Sequence, residues 1–351
     1  MTKLRHFFAG SNSGRGFYSF FQSIIGEDAK RIYLLKGGPG TGKSRLMEDL
    51  ARALGQRGYE RELFFCSSDS NSLDAVSFPQ LGVALIDATR PHALEAEWPG
   101  CRDELVCLGN FWSAQGLQEH RGEIVAKGQE KQAYFTSAFR YFEAARLLEE
   151  NIVTRNCDQA LEPRNFLGEI LAILDRSRTS YMDPPGYQRH LFASALTPEG
   201  YVSHIQTLVA EYDQIYILTG APGTGRAQCL EQLASHAQAV GLSTEIFHYP
   251  LDPKKILHIL IPQLKLAILT SIDLDPLAYI PGIPINFGMG NDPKANTGDA
   301  RLFRELLDLG IQALKQAQGA HAQVEIYYRD HMDFKALDAD RERILQEILS
   351  L

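Results

Sequence analysis

Long apolar runs are missing from this 351-residue chain. No stretch reaches the ~18 uninterrupted apolar residues that suggest a membrane-spanning helix, so no membrane partner is expected. Runs such as Val83–Ile86 and Leu266–Leu269 have the length of buried strands. Cysteine is scarce. Five are present, at 66, 101, 107, 157 and 229, an odd number without a Cys-x-x-Cys pair. That pattern argues against a disulfide framework and against a zinc site, and it fits reduced thiols. Positive charge is not in excess either: 35 Lys and Arg stand against 43 Asp and Glu, a net charge of −8. Broad, nonspecific nucleic-acid binding is therefore disfavoured. Two early positive charges are followed by polar residues and glycines after Phe8, without the apolar core and cleavage pattern of a secretory signal. The expected location is cytoplasmic.

What the chain does have is a glycine loop and a worn copy of it. The first reads Gly37-Gly38-Pro39-Gly40-Thr41-Gly42-Lys43-Ser44. The second begins 183 residues later and reads Gly220-Ala221-Pro222-Gly223-Thr224-Gly225-Arg226-Ala227. Around them, Ile32–Arg52 aligns with Ile215–Ser235 without a gap, 11 of 21 positions being identical. At the same offset Glu62 meets Glu245, Asp69 meets Asp252, and Pro79-Gln80-Leu81 meets Pro262-Gln263-Leu264. Upstream, Arg5-His6-Phe7-Phe8-Ala9 matches Arg189-His190-Leu191-Phe192-Ala193. The chain is an internal duplication. Its length suits two domains, each long enough to bury a core. We expect a first domain over 1–174, a linker over 175–188 rich in Ser, Arg and Pro, and a second domain over 189–351.

Within the first half the pattern predicts a strand over 5–9, a helix over 16–25, a strand over 31–36 and a helix from Lys43 to about Ala53. Further strands are expected at 62–66 and 83–86, then helices from about 122 to 174. The second half ends in helices over about 300–318 and 338–351. Strands alternating with helices imply a parallel sheet covered on both faces. Tyr134, Phe135, Phe139, Tyr141 and Phe142 are expected to pack between helices. Trp98 and Trp112 flank a turn-rich stretch, and His321, Glu325, Tyr327 and Tyr328 share a helix without a metal-binding pattern.

Gly-x-x-x-x-Gly-Lys-Ser between a strand and a helix is a phosphate-binding pattern. Its glycines let backbone N–H groups wrap phosphate oxygens, and the helix N-terminus adds positive partial charge. Lys43 is expected to reach the β- and γ-phosphates and Ser44 to ligate Mg²⁺. Asp87, ending the apolar strand Val83–Ile86, supplies the acid that holds the metal. In the repeat Lys43, Ser44 and Asp87 become Arg226, Ala227 and Thr270 while the glycines stay, as expected for relaxation of one phosphate–magnesium site. Ala88 follows Asp87 where many ATPases place a glutamate, so the activating residue is sought elsewhere: Asp69 first, then Asp74 and His92. Asp252, the counterpart of Asp69, survives in the worn copy, which also fits a structural role such as helix capping. Arg45, Arg90 and Arg102 are weaker candidates for phosphate contact.

Gly37–Ser44 with Asp87 resembles the P-loop NTPase superfamily, and the tandem arrangement resembles a bacterial group of double P-loop ATP-binding proteins. The resemblance implies two tandem α/β/α sandwich domains with mainly parallel sheets, each followed by helices. It also implies Mg²⁺ and a nucleotide bound by Gly37, Gly38, Pro39, Gly40, Thr41, Gly42, Lys43, Ser44 and Arg45. No Asn-Lys-x-Asp motif is present, so ATP is preferred over GTP. The expected activity is ATP hydrolysis through Lys43, Asp87 and Asp69, with the second copy structural or regulatory. Transfer of the γ-phosphate to a small acceptor, or an ATP-dependent switch with a further partner, are the alternatives.

Overall fold

A computed structural model describes residues 3–92, 94–156, 163, 165–178, 185–288 and 297–351. Cys157 and positions 179–184 of the expected linker lie outside the described residues. In the first half the strands are β1 (Leu4–Phe8), β2 (Gly10–Ser13), β3 (Gly16–Ser19), β4 (Arg31–Lys36), β5 (Arg61–Cys66), β6 (Asp69–Phe78), β7 (Val83–Asp87) and β8 (Asp103–Cys107). Its helices are α1 (Lys43–Gln56), α2 (Ala114–Glu119), α3 (Arg121–Asn156) and α4 (Phe166–Arg176). The second half carries β9 (Gln188–Leu191), β10 (Ser194–Thr197), β11 (Gly200–Ser203), α5 (Ile205–Leu208), β12 (Gln214–Thr219) and α6 (Arg226–Ala239). It continues with β13 (Thr244–His248), β14 (Ile256–Ile261), β15 (Leu266–Thr270), β16 (Ile283–Asn286), α7 (Thr297–Asp330) and α8 (Phe334–Ser350).

The duplication is visible in the sheets. One has the order β1-β5-β6-β7-β4-β8, and the other, read from its opposite edge, β9-β13-β14-β15-β12-β16. In each, only the third strand, β6 or β14, runs against the rest. The protein is thus α/β, with mixed, mostly parallel sheets. A third sheet, β11-β10-β2-β3, joins one hairpin from each half. Beside it Phe8 and Phe192 exchange both backbone hydrogen bonds at 3.0 Å.

Side chains alternate along the central strands, as strand geometry requires. Tyr33 and Leu35 of β4, and Val83 and Leu85 of β7, point to one face and meet Leu46, Met47, Leu50 and Leu54 of α1. Leu34, Ala84 and Ile86 point to the other and share a core with Ile215, Ile217, Ala267 and Leu269 of the second sheet. That core draws no buried residue from α1, α3, α4, α6, α7 or α8; short turns at Phe21–Ser23 and α5 fill it out. The expected pair of α/β/α sandwiches is therefore not what forms. Each sheet has helices on its outer face, and its inner face meets the other half, because both inner faces are apolar and mutually complementary.

The outer helices also cross over. Leu337, Ile344, Leu345 and Ile348 of α8, from the end of the chain, complete the core outside the first sheet. Phe166, Ile170 and Leu174 of α4 pack with α6 outside the second. The long helices α3 and α7 pair along their length, with Ala138, Phe142 and Ala145 against Leu307, Ala313 and Leu314. Gly310 makes room there, since a Cβ on it would lie 2.3 Å from the Phe142 ring.

At the seam four charges are buried. Arg5 donates to Glu245 Oε1 (2.7 Å) and Oε2 (2.5 Å), and Arg189 donates to Glu62 Oε1 (3.0 Å) and Oε2 (2.7 Å). Each arginine answers the glutamate of the opposite half. Desolvation would raise the Glu62 carboxyl, but Arg189 and Arg5 outweigh it and hold Glu62 below the usual carboxylate range.

Candidate functional site

The loop after β4 feeds directly into α1. Gly40 and Gly42 adopt φ of +69° and +91°, a left-handed backbone that glycine takes without a Cβ penalty. Thr41 is fully buried, and its hydroxyl donates to the Gly38 carbonyl at 2.8 Å. The Lys43 amino group curls back over the loop. It donates to the carbonyls of Gly37 (2.9 Å) and Gly38 (2.8 Å) and lies 3.6 Å from Asp87 Oδ2. Asp87 is brought there because β7 is the parallel neighbour of β4. Its Oδ1 accepts from the Thr89 backbone N–H (2.8 Å), and the Thr89 hydroxyl donates to the Gly37 carbonyl (3.0 Å).

Ser44 faces the same region but is engaged within the protein: its hydroxyl donates to Glu48 (2.9 Å) and accepts from Leu73 N–H (2.9 Å). Arg45 points outward, with its side chain 74% exposed. Arg90 is exposed, and Arg102 is held by Asp103 (2.6 Å) and Glu97 (3.0 Å) on a separate turn. Asp69 caps no helix. It opens β6, accepting from the Ser72 hydroxyl (2.6 Å) and the Asn71 N–H (3.3 Å). Its retained counterpart Asp252 is buried and paired with Arg15 of the first half at 2.8 Å.

Near the loop lies a polar group in which Asp74 and His92 are buried and Cys66 is half-buried. His92 Nε2 is 3.5 Å from Asp74 Oδ1, and ligand atoms of Cys66, Asp74 and His92 all fall within 4.8 Å of one another. The His92 ring is fixed by Phe21, stacked at 4.6 Å, and Phe17, edge-on at 5.0 Å. Burial, then the neighbouring Asp87, pushes the Asp74 carboxyl up to about 8, while burial and Lys43 bring His92 down to about 4. Near neutral pH the Asp74–His92 pair is thus largely uncharged. Burial also raises the Cys66 thiol. Cys66 escaped sequence reasoning because its partners come from β6 and from the loop after β7, far along the chain.

The glycine loop is covered from the other half of the chain. A Cβ on Gly38 would lie 2.5 Å from the Tyr328 ring, and one on Gly40 2.7 Å from the Glu325 carbonyl oxygen, both on α7. Trp112 meets Tyr328 edge-on at 5.6 Å and steadies it. Burial and Asp69 raise the Glu325 carboxyl, and burial and Lys131 lower His321 to about 4. A separate open cleft of about 590 Å³ lies beyond Trp112, lined by Phe111, Asp330 and Met332.

The worn loop is covered in the mirror-image way. A Cβ on Gly223 would lie 2.5 Å from the Val153 carbonyl oxygen of α3, and the Asn156 amide donates to the Pro222 carbonyl at 2.8 Å. Arg226 is buried and donates to the Ser271 carbonyl. Thr270 takes the place of Asp87. Position for position, the second loop keeps the left-handed glycines, Gly223 and Gly225, and lacks the lysine, hydroxyl and carboxylate.

No family model matches this chain, and neither do the curated proteins or the solved structures compared with it.

Proposed function

We propose that the chain is an ATP-binding protein of the P-loop NTPase kind, with Mg²⁺-dependent hydrolysis at Gly37–Ser44. In this reading the second half is a degenerate copy that stabilises and regulates the first. One observation carries it: Lys43 stands 3.6 Å from Asp87 at the mouth of a left-handed glycine loop between a parallel strand and a helix. The repeat keeps that backbone and has lost the lysine, the hydroxyl and the carboxylate together.

The residues present suit the ligand. Loop N–H groups and the α1 N-terminus would face phosphate oxygens. Lys43 would leave the Gly37 and Gly38 carbonyls for the β- and γ-phosphates, and Ser44 and Asp87 would hold Mg²⁺. Mg²⁺ would supply neutralisation of the developing phosphate charge. Asp69 is the first candidate for orienting the attacking water, and Asp74, whose carboxyl burial pushes up to about 8, is the second.

The second reading is an ATP-dependent switch without turnover. It is favoured by the α7 cover, because nucleotide would have to displace Tyr328 and Glu325 from the loop. The test follows γ-labelled ATP with Mg²⁺ on wild type and Lys43→Ala. Phosphate released by wild type alone supports the ATPase reading. Bound, intact ATP that Lys43→Ala cannot hold supports the switch. Equal behaviour of the two proteins defeats both.

A further inference from the structure

We propose that Cys66, Asp74 and His92 form a binding site for one borderline-soft divalent metal ion, Zn²⁺ being the fitting ion, beside the glycine loop. The site is separate from the expected Mg²⁺ position at Ser44 and Asp87 and does not rest on the nucleotide reading.

Three observations carry this inference. The first is composition and reach. A sulfur, a carboxylate oxygen and an imidazole nitrogen lie within 4.8 Å of one another. His92 Nε2 and Asp74 Oδ1 are 3.5 Å apart, close to the edge of a tetrahedron built from Zn–N and Zn–O bonds of about 2.0–2.2 Å. Closing the third contact to a tetrahedral edge of about 3.6 Å would take a movement of Cys66 Sγ of up to about 1 Å. The second is an unmet demand. Asp74 Oδ2 and His92 Nδ1 are buried without hydrogen-bond partners, and Asp74 and His92 are only 3% and 8% exposed. Buried polar atoms are normally satisfied; an ion taken by both carboxylate oxygens of Asp74 would satisfy Oδ2, while a ring bound through Nε2 leaves His92 Nδ1 without a partner.

The third is the internal control. At the 183-residue offset the counterparts are Tyr249, Leu257 and Asp275. Tyr249 donates instead to Glu149 (3.1 Å), and Asp275 accepts from Tyr279 (2.9 Å). The triad is confined to the half that keeps Lys43, Ser44 and Asp87. The sequence argued against zinc because Cys-x-x-Cys spacing reports ligands that are neighbours in the chain. These three are gathered by β5, β6 and the loop after β7.

The ligand set excludes Mg²⁺ and Ca²⁺, which take oxygen ligands, and suits Zn²⁺. Three protein ligands leave a fourth position for water, the arrangement of reactive rather than purely structural zinc. Binding replaces the Cys66 thiol proton and the proton that Asp74 carries near neutral pH, and both leave to solvent as the thiolate and the carboxylate bond the metal.

The test uses the full chain, stripped with a chelator and titrated with Zn²⁺ against a chromogenic indicator, then with Co²⁺ read by absorption. The expected result is one Zn²⁺ per chain and a thiolate-to-cobalt charge-transfer band. Cys66→Ser should lose that band and weaken Zn²⁺ at least tenfold, as should Asp74→Asn, while Cys107→Ser and Lys43→Ala keep both signals. Circular dichroism of the stripped variants separates loss of binding from loss of fold. Absence of stoichiometric Zn²⁺ in folded wild type, or undiminished binding by folded Cys66→Ser, overturns the proposal.

Discussion

The ring of Tyr328, near the end of α7, lies 2.5 Å from where a Cβ on Gly38 would project, although 290 positions separate the two residues in the chain. The second half of the chain therefore sits on the glycine loop of the first. If that loop binds nucleotide, the cover is a cost set against every binding event.

Tyr328→Ala removes the ring and leaves the α7 backbone. It is expected to tighten a fluorescent ATP analogue by about tenfold, equal to ~1.4 kcal/mol of released competition. Stopped-flow mixing should assign the gain to faster association. Unchanged rates would mean that α7 does not gate the loop. Gly40→Ala is the contrasting variant. It adds strain of about 1–3 kcal/mol at a left-handed residue and drives a methyl into the Glu325 backbone, so it should lower both stability and binding.

Arg226→Ala asks whether the worn loop works. The side chain is buried against the Ser271 carbonyl, so its loss should destabilise the protein. ATP affinity, compared by equilibrium dialysis, should stay within about twofold, well under the 1.4 kcal/mol that a tenfold change requires. A larger drop would give the second loop a ligand.

The buried charges at the seam predict an asymmetry between single and double changes. Arg5→Met strands Glu245 with Arg189 at 3.7 Å and should cost about 3–5 kcal/mol in urea unfolding. Arg5→Met combined with Glu245→Leu should recover much of that loss, since an apolar pair carries no desolvation penalty. Equal costs for the single and double variants would show that the charges do not act as a unit.

Histidines near the seam make stability fall in mild acid. His190 Nδ1 lies 2.8 Å from His248 Nε2, and His6 meets His204 edge-on at 5.4 Å. Burial lowers His6 and His190, takes His204 and His248 to about 4, and takes His258 to about 3. Arg61 adds to the lowering of His6, His6 to that of His204, and His190 to that of His248. The folded protein keeps these rings neutral, whereas the unfolded chain protonates them near 6.5. Below pH 6.5 the unfolded state binds more protons, so stability should drop toward pH 4, by up to about 1.4 kcal/mol per histidine per pH unit. Above pH 7 these groups contribute no slope. Glu62, held low, enters only below about 4.5. Asp74, raised to about 8, keeps its proton in the folded state and offsets about one histidine between pH 5 and 7.5; urea midpoints at pH 7.5, 6 and 5 read the remaining fall, and a flat series would show that the rings protonate in place.

The elements beside the loop were legible because their causes are local. β4 ends at Lys36 and α1 starts at Lys43, where apolar alternation gives way to glycines and then to helical spacing. The segment 16–25 was misread. Phe17, Phe20, Phe21 and Ile24 fall at helical intervals, yet β3 forms there because β2 pairs with it and β2 is anchored on β10, a partner in the other half. β6 was missed because its first residues, Asp69-Ser70-Asn71-Ser72, are polar; β5 and β7 on either side make it a strand. The glycine loop could be read from the chain, while its α7 cover and the Cys66 cluster could not, since both depend on tertiary contacts.

The crossed helices have a consequence for how the chain can change over generations. Lysine, hydroxyl and carboxylate in the second half can erode while the fold of that half remains necessary. Its last helices carry Tyr328 onto the first loop and Leu337, Ile344 and Ile348 onto the first sheet. A deletion of the worn copy would strip the intact one of the part of its outer layer that α8 supplies. A constraint on the first loop therefore reaches, through α7 and α8, residues of the copy that has Arg226, Ala227 and Thr270 in place of Lys43, Ser44 and Asp87.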